Sequence, residues 1–172
     1  MSVPDRPDTA ARIRYSRAEQ VAWYATLATM FGAAAALFTN PAGRILLVKP
    51  NYRDHWSLPG GILEHGEPPH VGCVREVAEE IGLDLPIGAL LAIDWSQPYG
   101  REARPIMHFV FDAGMIANGD GIVLQAEELD EFRFVPAGEA ADYLAPYGVR
   151  RVLAALDARA AGRCVYQPTQ VS

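Results

Sequence analysis

Residues 71–81 restrict the possible folds of this chain more than any other segment. They read VGCVREVAEEI, with Pro68-Pro69 just before and Gly82 just after. Proline first and glycine last is the punctuation of a helix. Cys73, Val77 and Ile81 recur at i, i+4 and i+8, an apolar stripe that has to be buried against a flat partner. Glu76, Glu79 and Glu80 stand at i, i+3 and i+4 and leave from another face. Like charges at that spacing repel by about 0.2–0.5 kcal/mol per pair, and the C-terminal half of a helix disfavours anions. A solvated acidic face tolerates this, and such faces are common. A hard divalent cation, which takes oxygen ligands, removes the objection altogether.

The flanking segments supply a sheet for the apolar stripe. Residues 33–39 and 44–49 read as two apolar strands joined through Asn40-Pro41-Ala42-Gly43, which is turn chemistry. Residues 87–95 and 106–113 make a second strand pair around a turn at 98–101. Residues 131–135 form a short strand, a helix follows from Pro136 to about residue 144, and a last helix spans 149–161 before Gly162. Ser16 and Glu19 form a capping-box pattern that opens a helix over about 17–30, with Val21, Tyr24, Leu27 and Ala28 on one face. No repeat or linker is visible. The expectation is an α/β fold, an α/β/α sandwich with a mixed β-sheet over residues 32–162. An N-terminal extension with its amphipathic helix (1–31, poorly ordered to residue 15) precedes it, and a C-terminal tail (163–172) follows.

Residues 21–38 carry no charge and follow Arg12, Arg14 and Arg17, which imitates a membrane span or an export signal. Half of the run is Ala or Thr, Gly32 interrupts it, and its second half is needed as the first strand. No membrane association is expected. The net charge of −6 and pI near 5.2 argue against stable binding of nucleic acid, which needs a basic footprint. Cys73 and Cys164 form no Cys-x-x-Cys pair and read as reduced thiols of a cytoplasmic protein.

From Gly61 the chain reads five residues, Glu67, seven residues, Arg75-Glu76-Val77, one residue, Glu79-Glu80, one residue, Gly82-Leu83. This resembles the Nudix box at every defined position. Trp56-Ser57-Leu58-Pro59-Gly60-Gly61 looks like the usual lead-in, and residues 128–135 look like the late strand before a closing helix. The resemblance implies a Nudix-type sandwich and a hydrolase that uses Mg²⁺, or Mn²⁺, to cut a phosphoanhydride bond. The substrate would be a small nucleotide-derived molecule, a nucleoside diphosphate linked to another moiety.

By the same resemblance Glu76, Glu79 and Glu80 would bind the metal, the Gly60 carbonyl would add a ligand, Arg75 would orient a metal-binding glutamate, and Glu67 would support Arg75. The general base differs among family members. Glu79 is the first candidate, because it needs no loop movement, and Glu128 is the next. Trp56 and Tyr99 are candidates for stacking on a base, and Arg101 and Arg104 for meeting a phosphate. His55, His65, His70 and His108 show no metal spacing and read as surface or structural residues. Noncatalytic relatives usually carry a degraded box, whereas this one is intact. Specificity lies outside the box, and the reading leans to nucleotide sugars or ADP-ribose over nucleoside triphosphates. The 17–30 helix has an apolar face that a second copy of the chain would cover in a homodimer.

Overall fold

A computed structural model describes residues 15–97 and 104–168. The expected turn at 98–101, and most of the expected poorly ordered terminus, lie outside them. The elements are α1 (Arg17–Tyr24), β1 (Phe31–Thr39), β2 (Ile45–Pro50), β3 (Gly60–Ile62), α2 (Pro69–Ile81), β4 (Leu90–Ser96), β5 (Ile106–Met115), β6 (Leu129–Val135), a 3₁₀ turn (Ala137–Asp142), α3 (Pro146–Ala161) and β7 (Val165–Pro168).

Alternation along β1 divides the interior in two. Ala34, Ala36 and Phe38 face α2 and pack with Cys73, Val77 and Ile81. Ala35 and Leu37 face α3 and pack with Val152, Ala155 and Ala158. The sheet runs β6-β2-β1-β5-β4-β7, with β3 also paired to β1. It is mixed: β1 is parallel to β5 and β4 to β7, and the other pairs are antiparallel. Helices cover both faces, giving the expected α/β/α sandwich. Among the described residues no helix is long and apolar enough to cross a membrane.

Several boundaries move, each for a local reason. α2 and α3 begin earlier than expected, at Pro69 and Pro146, since proline is already set for the first helical turn. β3 went unforeseen because a three-residue strand beginning Gly-Gly carries no hydrophobic period. The segment set aside as a tail contributes β7, an edge strand on β4.

The N-terminal helix is the largest difference. Its capping box forms, with Glu19 N–H donating to Ser16 Oγ at 3.2 Å and Ser16 N–H to Glu19 Oε2 at 2.7 Å. It stops at Tyr24, six residues short of the expected end. The Thr26 hydroxyl donates to the Trp23 carbonyl at 2.7 Å and ends the turn locally. No residue of α1 is buried, so packing does nothing to lengthen it.

Candidate active site

α2 carries the acidic residues to the edge of β3. Its apolar stripe is fully buried, which fixes its rotation and presents Glu76 toward Gly61 and Glu80 toward Gly60, with Glu79 on Arg75. Gly60 has φ 139°, and a side chain there would strike the Ala34 backbone. At Gly61 a Cβ would lie 2.5 Å from the Glu76 carboxylate. The two glycines let backbone and carboxylates approach.

Arg75 organises one side of the cluster. Its Nε and Nη2 donate to the two oxygens of Glu67 at 2.9 and 3.0 Å, and its Nη1 donates to Glu76 at 3.0 Å and Glu79 at 2.9 Å. The bidentate pair with Arg75 holds Glu67 well below the usual carboxylate range, at about 2. Glu80 is on the other side and only 6% exposed. Its carboxylate accepts from the Gly60 N–H at 2.6 Å. Burial pushes its pKa up to about 8, the Glu76 and Glu128 charges add to the rise, and the Gly60 hydrogen bond and Arg53 oppose it. Burial also raises Glu76, against the pull of Arg75. Beneath them the Cys73 thiol is pushed up to about 12 by burial and by the Glu76 charge, so it is an inert packing group.

The cluster therefore has more carboxylate than cation. Arg75 serves Glu67, Glu76 and Glu79, while Glu80 and Glu128 add two further carboxyl groups, and Arg53 acts on Glu80 from a distance. Among the described residues no three acidic, His or Cys side chains already surround one point as metal ligands do. Arg75 draws Glu76 and Glu79 to itself, and the Gly60 amide holds Glu80. The donor set nonetheless fits a hard cation: all oxygen, partly desolvated and short of positive charge. Were Glu76 and Glu79 released by Nη1, Arg75 would keep both bonds to Glu67.

Beside the glycines lies a cavity of about 450 Å³ between the sheet and the start of α3. Trp56 lines it, packed edge-on against Tyr143 at 5.5 Å and covered by Arg133 at 5.2 Å. Arg104 does not line it and instead lies over Phe31 at 5.7 Å. Tyr99 and Arg101 lie outside the described residues. Glu128 is held through its backbone, whose carbonyl accepts from Asn51 N–H at 2.9 Å, and its charge is felt by both Glu76 and Glu80.

Sequence reading missed Arg53, His108 and Arg151 in the lining, and Asp94, which pairs with Arg151 behind it. Arg53 is a lone arginine in the loop before the box, and it bonds the Ser57 hydroxyl at 2.9 Å. The signal for Asp94 and His108 was a polar residue on the inward side of each strand. His55, His65 and His70 are exposed.

The NUDIX domain family model matches residues 30–156. The chain is 28% identical to a MutT-like protein of Streptomyces ambofaciens over 123 residues, 72% of this chain and 75% of that protein. It is 35% identical over 79 residues, 45% of its length, to the putative ADP-ribose pyrophosphatase YjhB of Bacillus subtilis (strain 168), and spans 38% of that relative. Its fold is similar to that of a MutT protein from Methanosarcina mazei Go1, with TM-score 0.62 and 23% identity over 78% of this chain and 96% of the other.

Proposed function

This chain belongs to the NUDIX family of hydrolases, and from that premise we propose that it is an Mg²⁺-dependent pyrophosphatase, also served by Mn²⁺, that cleaves a nucleoside diphosphate linked to a further group. The observation that carries the reading is the surplus of carboxylate at α2, set against Gly60-Gly61, two glycines that also line a cavity of nucleotide-fragment size. A family match supplies the enzyme class, and the putative ADP-ribose pyrophosphatase of Bacillus subtilis supports a sugar-diphosphate substrate.

In this reading Glu76, Glu79, Glu80 and the Gly60 carbonyl hold the ion. When bound, the ion neutralises phosphate charge and lowers the pKa of a water. Glu67 fixes Arg75, and Arg75 fixes the glutamates. Trp56 contacts the organic part of the substrate. Glu79 takes the proton of the attacking water. A second reading gives that role to Glu128, because its charge already reaches Glu76 and Glu80 with no loop movement. At saturating Mg²⁺ the base mutant loses the acidic limb of the pH–rate profile, so Glu79→Gln and Glu128→Gln compared there separate the two.

The exposed Val21, Trp23, Tyr24 and Leu27 support the proposal that a second copy covers this region, which light scattering of the whole chain tests. The enzymatic test is a panel of nucleotide sugars, ADP-ribose, dinucleoside polyphosphates and nucleoside triphosphates, with products identified by mass. A nucleoside monophosphate released by phosphoanhydride cleavage is expected. Cleavage confined to phosphomonoesters or carboxylic esters contradicts the proposal.

A further inference from the structure

The face of the sheet toward α3 changes character along its length. Over most of it Leu37, Ala92 and Val110 are core residues. Toward the cavity the same three strands line it with Ala33 and Ala35 on β1, His108 on β5 and Ser96 on β4, and Asp94 on β4 stands directly opposite His108 in the strand register. The alanines leave space, and that space is the cavity. His108 and Ser96 are polar members of its wall.

Stability alone gives little reason for this arrangement. Arg151 reaches down from α3 and donates to Asp94 Oδ2 through Nε at 3.0 Å and Nη2 at 2.7 Å, and both side chains are nearly out of solvent. A buried ion pair carries a desolvation penalty that apolar residues of like size avoid. The pair does fix the wall of the cavity, because the same guanidinium lies over the Tyr147 ring at 5.8 Å, and Tyr147 meets His55 edge-on.

His108 stands beside this pair with no hydrogen bond from its ring to any described residue, and it lines the cavity. Burial, reinforced by the Arg151 charge, holds its pKa down at about 4, so the ring is neutral near pH 7. A neutral imidazole offers one donor and one acceptor. The rest of the wall is largely aromatic and aliphatic, with Trp56 and Tyr147 suited to a flat ring.

We propose that His108 is a specificity-determining residue: it hydrogen-bonds the edge of the substrate's heteroaromatic base in this cavity, and the Asp94–Arg151 pair positions the wall against which the base lies. The inference rests on the pyrophosphatase reading for the kind of molecule that enters.

Binding of AMP, GMP, CMP and UMP, measured by calorimetry in excess chelator, tests it without turnover. The wild-type chain should prefer one base by about tenfold or more, the scale of one well-made hydrogen bond in a desolvated site. His108→Leu should reduce that preference to within about threefold while leaving the weaker binders unchanged. His108→Gln, which keeps a donor and an acceptor, should retain a clear preference. Thermal melts establish that each variant is folded. If the leucine variant does not fold, a folded glutamine variant that binds all four alike overturns the proposal. So does a wild-type chain that binds none of the four or all alike, or a folded leucine variant that keeps the original preference. Turnover of the nucleotide panel by the wild-type chain is scored separately, so failure here is distinct from failure of the pyrophosphatase reading.

Discussion

α2 and α3 are built to one plan and use charge in opposite ways. Each begins at a proline, ends at a glycine in the left-handed region, and buries a stripe against one face of the same sheet. On α3 the inward arginines are matched: Arg151 pairs with Asp94 and Arg159 with Asp112. On α2 one arginine serves three glutamates, and a fourth, Glu80, is buried against a backbone amide. A matched pair holds elements together. An unmatched cluster is held in place by the packing around it, and its deficit is what a cation and a phosphate would fill.

The sharpest way to break this comparison is to remove one carboxylate from α2. Glu80→Gln should lower kcat by roughly a thousandfold, corresponding to several kcal/mol of lost metal-assisted stabilisation. Its fold should survive, because the buried amide still accepts from Gly60. Steady-state kinetics with a thermal melt of the same sample checks both halves; near-normal turnover would mean that the cluster is only a solvated acidic face.

On α3 the expectation reverses. Asp94→Asn leaves the Arg151 charge buried with its main partner neutralised and should cost about 3 kcal/mol of stability, read in a denaturant melt. Metal affinity at α2 should not change, since Asp94 lies on the opposite side of the sheet. Loss of metal binding in this variant would erase the distinction between the helices.

The smallest effect is a slope. Glu80 has a folded pKa of about 8 against an ordinary value of 4.5, so the proton is held more tightly in the folded state. Its contribution to metal-free stability is therefore complete below about pH 4.5 and is lost as pH rises through about 8. The melting temperature in chelator should fall across that window, and Glu80→Gln should flatten the fall. A slope of the same size in the variant would assign it to other groups.

The comparison also explains what could be read in the sequence. The acidic face of α2 was legible because its residues share one helix, where spacing translates directly into direction. The sheet layers were legible through the apolar runs of β1 and β2. The α3 side was not, because Asp94, His108 and Arg151 come from three elements and meet only through strand register and helix docking. Nor could the sequence show that α1 ends at Tyr24 or that Val165–Pro168 joins the sheet, since both depend on local hydrogen bonds and an edge available for pairing. The attachment of Glu76 and Glu79 to Arg75, in place of converged ligands, is likewise a matter of three-dimensional geometry.

The claim that the surplus carboxylates of α2 exist to hold a cation is tested most directly by assaying the nucleotide panel with Mg²⁺ and again with excess chelator. Release of a nucleoside monophosphate with Mg²⁺, its disappearance in chelator and its return when Mn²⁺ is added are the predicted result. Undiminished release in chelator would contradict the account.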